Sequence, residues 1–161
     1  MPNHVRPVPD GYHAITPSLT CRNASNAIEF YKRAFDAKEL LRIPSPDGKI
    51  AHAELKIGDS IIFLSDEFPG MAAAPADSAD PGSSLFLYVN NVDSVFQNAL
   101  AAGARTEMRL QDMFWGDRYG KLVDPFGHHW GVATHVENVS LEEAKQRMQS
   151  AYASKAAAGK A

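Results

Sequence analysis

The sequence predicts an α+β fold of two tandem βαβββ modules followed by a C-terminal helix, and three observations carry that prediction. An order of strand, helix, strand, strand, strand reads twice along the chain, at a period of roughly 70 residues. Residues 68–83, FPGMAAAPADSADPGS, hold three of the ten prolines and separate the two readings as a flexible connection. Ser140-Leu141-Glu142-Glu143 then opens an appended helix with a capping box. The expected organisation is one domain over 1–161, with a first module at 12–67, the connection at 68–83, a second module at 84–137, and a helix with a frayed tail at 138–161.

Each element has a local reason. Tyr12 to Thr20, rich in Thr, Ile, Leu and His, follows the Pro9-Asp10-Gly11 turn signal and reads as a strand. Asn23 and Ser25 offer N-caps, and Ala27, Ile28, Tyr31, Ala34 and Phe35 recur at helical spacing as far as Asp36. Three strands follow: Ala37 to Ile43, Ile50 to Ile57 after the turn at 44–48, and Ser60 to Ser65 after Gly58-Asp59. In the second half Ser84 to Val89 is strand-like. Val92, Val95, Phe96, Ala99 and Leu100 then share a helical face, and Gly103 stands where a C′ glycine belongs. Arg105 to Leu110, Arg118 to Val123 and His129 to Thr134 complete the module, the last two joined by Asp124-Pro125-Phe126-Gly127. On the tail helix Leu141, Ala144, Met148 and Tyr152 form one stripe.

Composition narrows the partners. Sixteen Lys plus Arg against nineteen Asp plus Glu give a net charge of −3 with no basic block, so no nucleic-acid partner is expected. The single cysteine, Cys21, can form no internal disulfide and no cysteine-based zinc cluster. No stretch approaches the 18 or more apolar residues of a membrane span, and the N-terminus carries three prolines in place of an apolar leader. A cytoplasmic protein with no membrane partner is expected.

Ala27-Ile28-Glu29-Phe30-Tyr31 on the first helix and Asp124-Pro125-Phe126-Gly127 before the last strand resemble the vicinal oxygen chelate superfamily. That superfamily includes glyoxalase I, extradiol dioxygenases, fosfomycin resistance enzymes and bleomycin resistance proteins. His52-Ala53-Glu54-Leu55, Gly58-Asp59-Ser60, Leu64-Ser65-Asp66-Glu67, Trp115-Gly116-Asp117-Arg118-Tyr119 and the ending His128-His129-Trp130 look like its PhnB-like branch. The resemblance implies the glyoxalase/bleomycin resistance fold, sheets curled into a concave cleft, and a homodimer. In metal-dependent members it also implies one divalent ion, held from the first and fourth strands of each module. Those positions fall here at Thr16, Phe63, Ser84 and Gly131. None is a usual ligand, because Zn, Ni and Fe sites want imidazole or carboxylate, so no metal cofactor is expected.

Strand alternation supplies candidates independently. In Ala51 to Ile57 the apolar set Ala51, Ala53, Leu55 and Ile57 should pack under the helix, leaving His52, Glu54 and Lys56 on the other face. If that face lines the cleft, His52 and Glu54 form a candidate catalytic acid/base pair; if it is a wet sheet face, they are surface decoration. Trp115 can stack on a planar ligand and Arg118 can grip an anionic or carbonyl group, or the segment can pair Asp117 with Arg118 or meet a second chain. His128 and His129 must face opposite ways, so one is structural, and His129 has open space beside Gly131 for a ligand contact. Phe63, Phe86 and Tyr88 fall on the ligand side of their strands and make the cleft aromatic, and Thr16 and Ser84 join them as candidate ligand contacts. The expected function is metal-independent binding of a small, partly hydrophobic organic molecule, by sequestration as in bleomycin resistance proteins. Two alternatives stay open: a metal-dependent lyase or dioxygenase, and a metal-free acid/base enzyme acting on a carbonyl substrate.

Overall fold

The two periodicities resolve into strands and helices in the computed structural model, which describes residues 5–76 and 82–158. Residues 1–4, 77–81 within the connection and 159–161 at the end of the tail lie outside the described residues. The first module contains β1 (Ser18–Cys21), α1 (Ala24–Phe35), β2 (Lys38–Pro44), β3 (Ile50–Ile57) and β4 (Ser60–Asp66). The second contains β5 (Leu85–Tyr88), α2 (Val92–Ala101), β6 (Arg105–Asp112), β7 (Asp117–Val123) and β8 (His129–His135), and α3 (Leu141–Ala158) follows. Each module forms a four-stranded mixed sheet, in the orders β1-β4-β3-β2 and β5-β8-β7-β6. The first strand of each runs parallel to the fourth, while the other pairings are antiparallel. This is the βαβββ unit twice, with the appended helix.

Capping sets the helix limits. Asn23 accepts from the Asn26 N–H, and Asp36 takes a left-handed backbone at φ 52° that ends α1 with its N–H on the Tyr31 carbonyl. Between these limits the helix turns seven buried residues, Tyr31 and Phe30 among them, toward the sheets and α2.

The modules meet through this helix side. Tyr31 and Phe35 pack on the Trp130 ring at centroid distances of 5.5 and 4.7 Å, and Phe30 meets Phe126 at 6.1 Å. Asp124, 2% exposed, accepts from the Tyr31 hydroxyl at 2.6 Å and the Trp130 indole at 2.9 Å. Its other oxygen accepts the Phe126 and His128 N–H groups, both at 2.9 Å. The tyrosine motif of α1 and the Asp-Pro-Phe-Gly turn are therefore two halves of one buried clamp. His128 belongs to the same joint, its ring nitrogen donating to the Thr20 carbonyl at 3.0 Å.

Two expectations need correction, on β1 and at the start of β3, while the tail helix keeps its stripe. The first strand begins at Ser18 rather than Tyr12, because Pro17 has no N–H to give a ladder, although its carbonyl still accepts from Phe63. On β3 the phase breaks at the start: Ile50 is 5% exposed while Ala51 is exposed, since a register shift beside Pro44 pairs that residue with Ile50. The stripe on α3 is uncovered, with Leu141 and Tyr152 at 73% and 69% exposure, and Arg147 ties the helix to Glu137 at 2.8 Å.

Candidate functional site

Two polar clusters arise on the outer sheet faces, one per module. In the first, Ala53, Leu55 and Ile57 of β3 enter the core with α1, which turns His52 and Glu54 the other way. Glu54 is 7% exposed. It accepts a short hydrogen bond from the Tyr12 hydroxyl, and His52 Nε2 lies 3.0 Å from its other oxygen. Phe63, opposite Glu54 in the β3–β4 register, stands edge-on to the His52 ring at 4.9 Å. Leu41 and Ile43 of β2, opposite Glu54 and His52, add exposed apolar surface. Burial works to raise the Glu54 pKa, but hydrogen bonds from Tyr12 and His52 outweigh it and hold the carboxyl below its usual range. The same contact raises the Tyr12 phenol.

Asp117, 1% exposed, is the centre of the second cluster. One carboxylate oxygen accepts from the Tyr88 hydroxyl at 2.9 Å and the Trp115 indole at 2.8 Å; the other accepts from His135 Nδ1 at 2.8 Å. Burial again opposes ionisation, and the His135, Tyr88 and Trp115 bonds overcome it, so the Asp117 pKa is lowered. The His135 pKa is raised, first by its bond to Asp117 and then by that to Asn138. Gly116 lets Trp115 and Asp117 take these positions: its φ is +99°, and a Cβ there would stand 2.0 Å from the Glu137 carbonyl.

Rings cover the sheet beside Asp117. Phe86 stacks on Tyr119 at 5.2 Å and 16°, Tyr88 lies 5.0 Å from Phe86, and Trp115 lies 5.9 Å from Tyr119. They close over Gly131, where a Cβ would come within 2.9 Å of both Phe86 and Tyr119. The space expected beside His129 is thus filled. His129 itself turns to Glu107 at 3.1 Å.

The remaining candidates separate. Thr16 and Ser84 come together on a groove of about 810 Å³ between the β1 and β5 edges, with His13 and Phe86 also on its wall and Leu85 and Trp130 among its apolar lining. Arg118 does not pair with Asp117: it grips Asp93 of α2 with two bonds at 2.8 Å and reaches Asp112 at 3.2 Å, on the helix side of its sheet. Among the described residues, ring and hydrogen-bond contacts join Tyr12, His52, Glu54 and Phe63 to one another, and the Tyr88–Asp117 group to one another, with none linking the two sets. Sequence reasoning missed Tyr12, Tyr119, Asp117 and His135 as site residues. Asp117 had a visible signal, a carboxylate two residues after a tryptophan at a strand start. Tyr12 had none, since its partner lies 42 residues away.

The residues at the family's ion positions do not fit a metal. Thr16 and Ser84 offer weak neutral oxygens, Phe63 offers none, and the space of a Gly131 side chain is taken by two rings. Among the described residues, no three His, Cys, Asp or Glu side chains converge to hold an ion.

Comparison with known proteins accounts for this architecture. The sequence model of the Glyoxalase/Bleomycin resistance protein/Dioxygenase superfamily matches residues 11–132. Protein Mb0911c of Mycobacterium bovis is 43% identical over 141 residues, covering 85% of this chain and 93% of its own length. Protein YjdN of Escherichia coli is 34% identical over 133 residues, covering 68% of this chain and 86% of its own. Among solved structures, TioX from a Micromonospora species superposes with a TM-score of 0.62 at 28% identity, over 77% of this chain and 99% of that one. The PhnB protein of Bacillus cereus shares the fold at a TM-score of 0.62 and 21% identity, over 76% and 99%. The chain belongs to the glyoxalase/bleomycin resistance/dioxygenase superfamily, the vicinal oxygen chelate proteins, and has PhnB-like structural neighbours.

Proposed function

We propose that this protein binds a small, partly hydrophobic organic molecule in its cleft without a metal ion. The observation that carries the reading is Gly131: where the family sets a ligand to its ion, this chain has no side chain and closes two aromatic rings over the strand. The groove that Thr16 and Ser84 share, about 810 Å³ with an apolar floor, has the size and lining of a small-molecule site. Elemental analysis of the purified protein, with Ni, Zn and Fe titrations, tests the metal half; one tightly bound ion per chain overturns it. Native mass spectrometry with a metabolite library tests the binding half, and a library without a single retained compound overturns that.

The functional unit is a cytoplasmic homodimer. Leu141, Met148 and Tyr152 of α3 leave 73%, 38% and 69% of their surface exposed, and a second chain is the economical cover for such apolar area. Light scattering that returns the mass of one chain at micromolar concentration overturns this part.

A second reading rests on Glu54. A largely desolvated carboxylate 3.0 Å from the His52 ring nitrogen holds that imidazole in place, which equips the pair for proton abstraction beside a carbonyl with His52 taking the proton. Solvent deuterium uptake into simple α-hydroxyketones, lost in Glu54→Gln, supports it; no uptake above the protein-free rate rejects it.

A further inference from the structure

Of the two outer faces, the second carries an aromatic plate with an anion behind it. Its four rings run in contact from Trp115 through Tyr119 and Phe86 to Tyr88. Gly131 is what lets the middle two lie against the strand. The polar ends of the outer two are already used, because the Tyr88 hydroxyl and the Trp115 indole N–H both donate to one oxygen of Asp117. What these side chains still offer a ligand is ring surface. Phe86 and Tyr88, half-exposed or more, are wetter than aromatic rings usually are.

Charge then selects among ligands that stack. An aromatic face carries the negative lobe of the ring quadrupole and attracts cations. Donating O–H and N–H groups into a carboxylate polarises the phenol and indole further toward their rings. Asp117 is buried at 1% exposure, so its charge is poorly screened by water on the side that faces the plate. His135 is engaged with Asp117 itself, and Lys121 lies opposite Gly131 in the β7–β8 register and is exposed.

We propose that the Trp115–Tyr119–Phe86–Tyr88 plate, backed by Asp117, is a docking surface for a planar organic cation. The plate meets the groove of Thr16 and Ser84 at Phe86; the proposal rests on the metal-free small-molecule reading and narrows it to a ligand class. A quaternised or protonated heteroaromatic ring satisfies both features at once, with its plane against the rings and its charge over their negative faces. An aliphatic ammonium would use only the second feature, and a neutral arene only the first.

Calorimetric titration of the full chain with N-methylquinolinium, neutral quinoline, quinoline-4-carboxylate and tetramethylammonium tests it. The expected order places N-methylquinolinium first, about tenfold or more tighter than quinoline, with the carboxylate weakest. Tyr119→Leu and Phe86→Leu should each weaken the cation by about fivefold or more. Asp117→Asn should level the cation and quinoline; if that variant does not fold, the two ring variants and the order among probes still decide. Equal or tighter binding of quinoline or its carboxylate overturns the proposal, the carboxylate result pointing to Lys121 instead. Unchanged cation binding in both ring variants also overturns it. So does a plate that a second chain covers, seen as cation binding that appears only on dilution to monomer. If a quinoline binds with no preference for charge, the ligand class falls and the metal-free binding reading stands. If no probe binds while the metabolite library yields ligands, the class falls alone.

Discussion

In the first module the buried carboxylate sits at mid-strand, and Glu54 draws its two donors from its own strand and from the N-terminal segment. In the second it is the first residue of β7, and Asp117 draws three donors from β5, from the residue pair before β7 and from the end of β8. The inner faces, by contrast, repeat. Leu55 opposite Ile62 corresponds to Leu122 opposite Trp130, and Ala53 opposite Leu64 corresponds to Gly120 opposite Val132. Gly120 is glycine because a Cβ would meet the Phe96 ring at 2.7 Å. Two copies of one topology thus keep the constraint that packs a helix and differ on the faces turned away from it. Packing against a helix limits side-chain volume to within a methylene or so, whereas an outward face carries no such limit.

The largest effect that would test this contrast lies at the joint. Asp124→Ala strips a partner from two buried side-chain donors and two backbone N–H groups, and should cost at least about 3 kcal/mol. Denaturant unfolding followed by both tryptophan fluorescence and far-ultraviolet dichroism checks it; a loss below 1 kcal/mol (roughly the worth of one ordinary hydrogen bond) would mean the modules are held by their rings alone. Next come Leu55→Ala and Leu122→Ala, each expected to cost about 2–5 kcal/mol because both side chains are 1% exposed or less. A cost confined to one of them breaks the claim that the inner faces are equivalent.

Acidity separates the outer faces at an intermediate scale. Asp117 has a lowered pKa, so its contribution is present above the unfolded value and is lost as pH falls through the folded one; Glu54 behaves likewise. His135 has a raised pKa, so its contribution is full below the unfolded value of 6.5 and is lost as pH rises through the folded one. Melting temperature should therefore decline on both sides, and His135→Gln should flatten the alkaline side while also weakening the part of the acid decline that the imidazole lends to Asp117. An alkaline decline that survives in His135→Gln removes the assignment. The smallest effects belong to His52→Ala and Arg118→Ala, each expected within about 1 kcal/mol of wild type: His52 is partly exposed, and Arg118 makes surface ion pairs. Unfolding of His52→Ala as severe as that of Leu55→Ala would reverse the strand faces assigned here.

Much of the inner architecture was legible, since period and caps are local. Asn23, Asp36 and Gly103 mark helix ends by their own chemistry, and Ala53, Leu55 and Ile57 declare their face by alternation. The outer face was legible only where strand phase sufficed, as for His52 and Glu54. Local pattern alone puts Tyr12 in a strand and Arg118 in the cleft, because the partners that place them, Glu54 and Asp93, are 42 and 25 residues away. No local pattern encodes such distances. His129 shows the same limit: a glycine neighbour looks like open space in one dimension, while in three it is where Phe86 and Tyr119 arrive.

The clamp at Asp124 also sets an order of events during synthesis. Its bond to Tyr31 closes a span of 93 residues, and the Phe126 and Trp130 rings that complete the α1 surface emerge in the same late stretch. A nascent chain halted before residue 124 can form α1 and its hairpins, yet lacks the Phe126 and Trp130 rings that pack on Phe30, Tyr31 and Phe35 and the acceptor of the Tyr31 phenol. The N-terminal module is thus made first and finished last, and its window of stickiness lasts as long as the ribosome takes to deliver the other half.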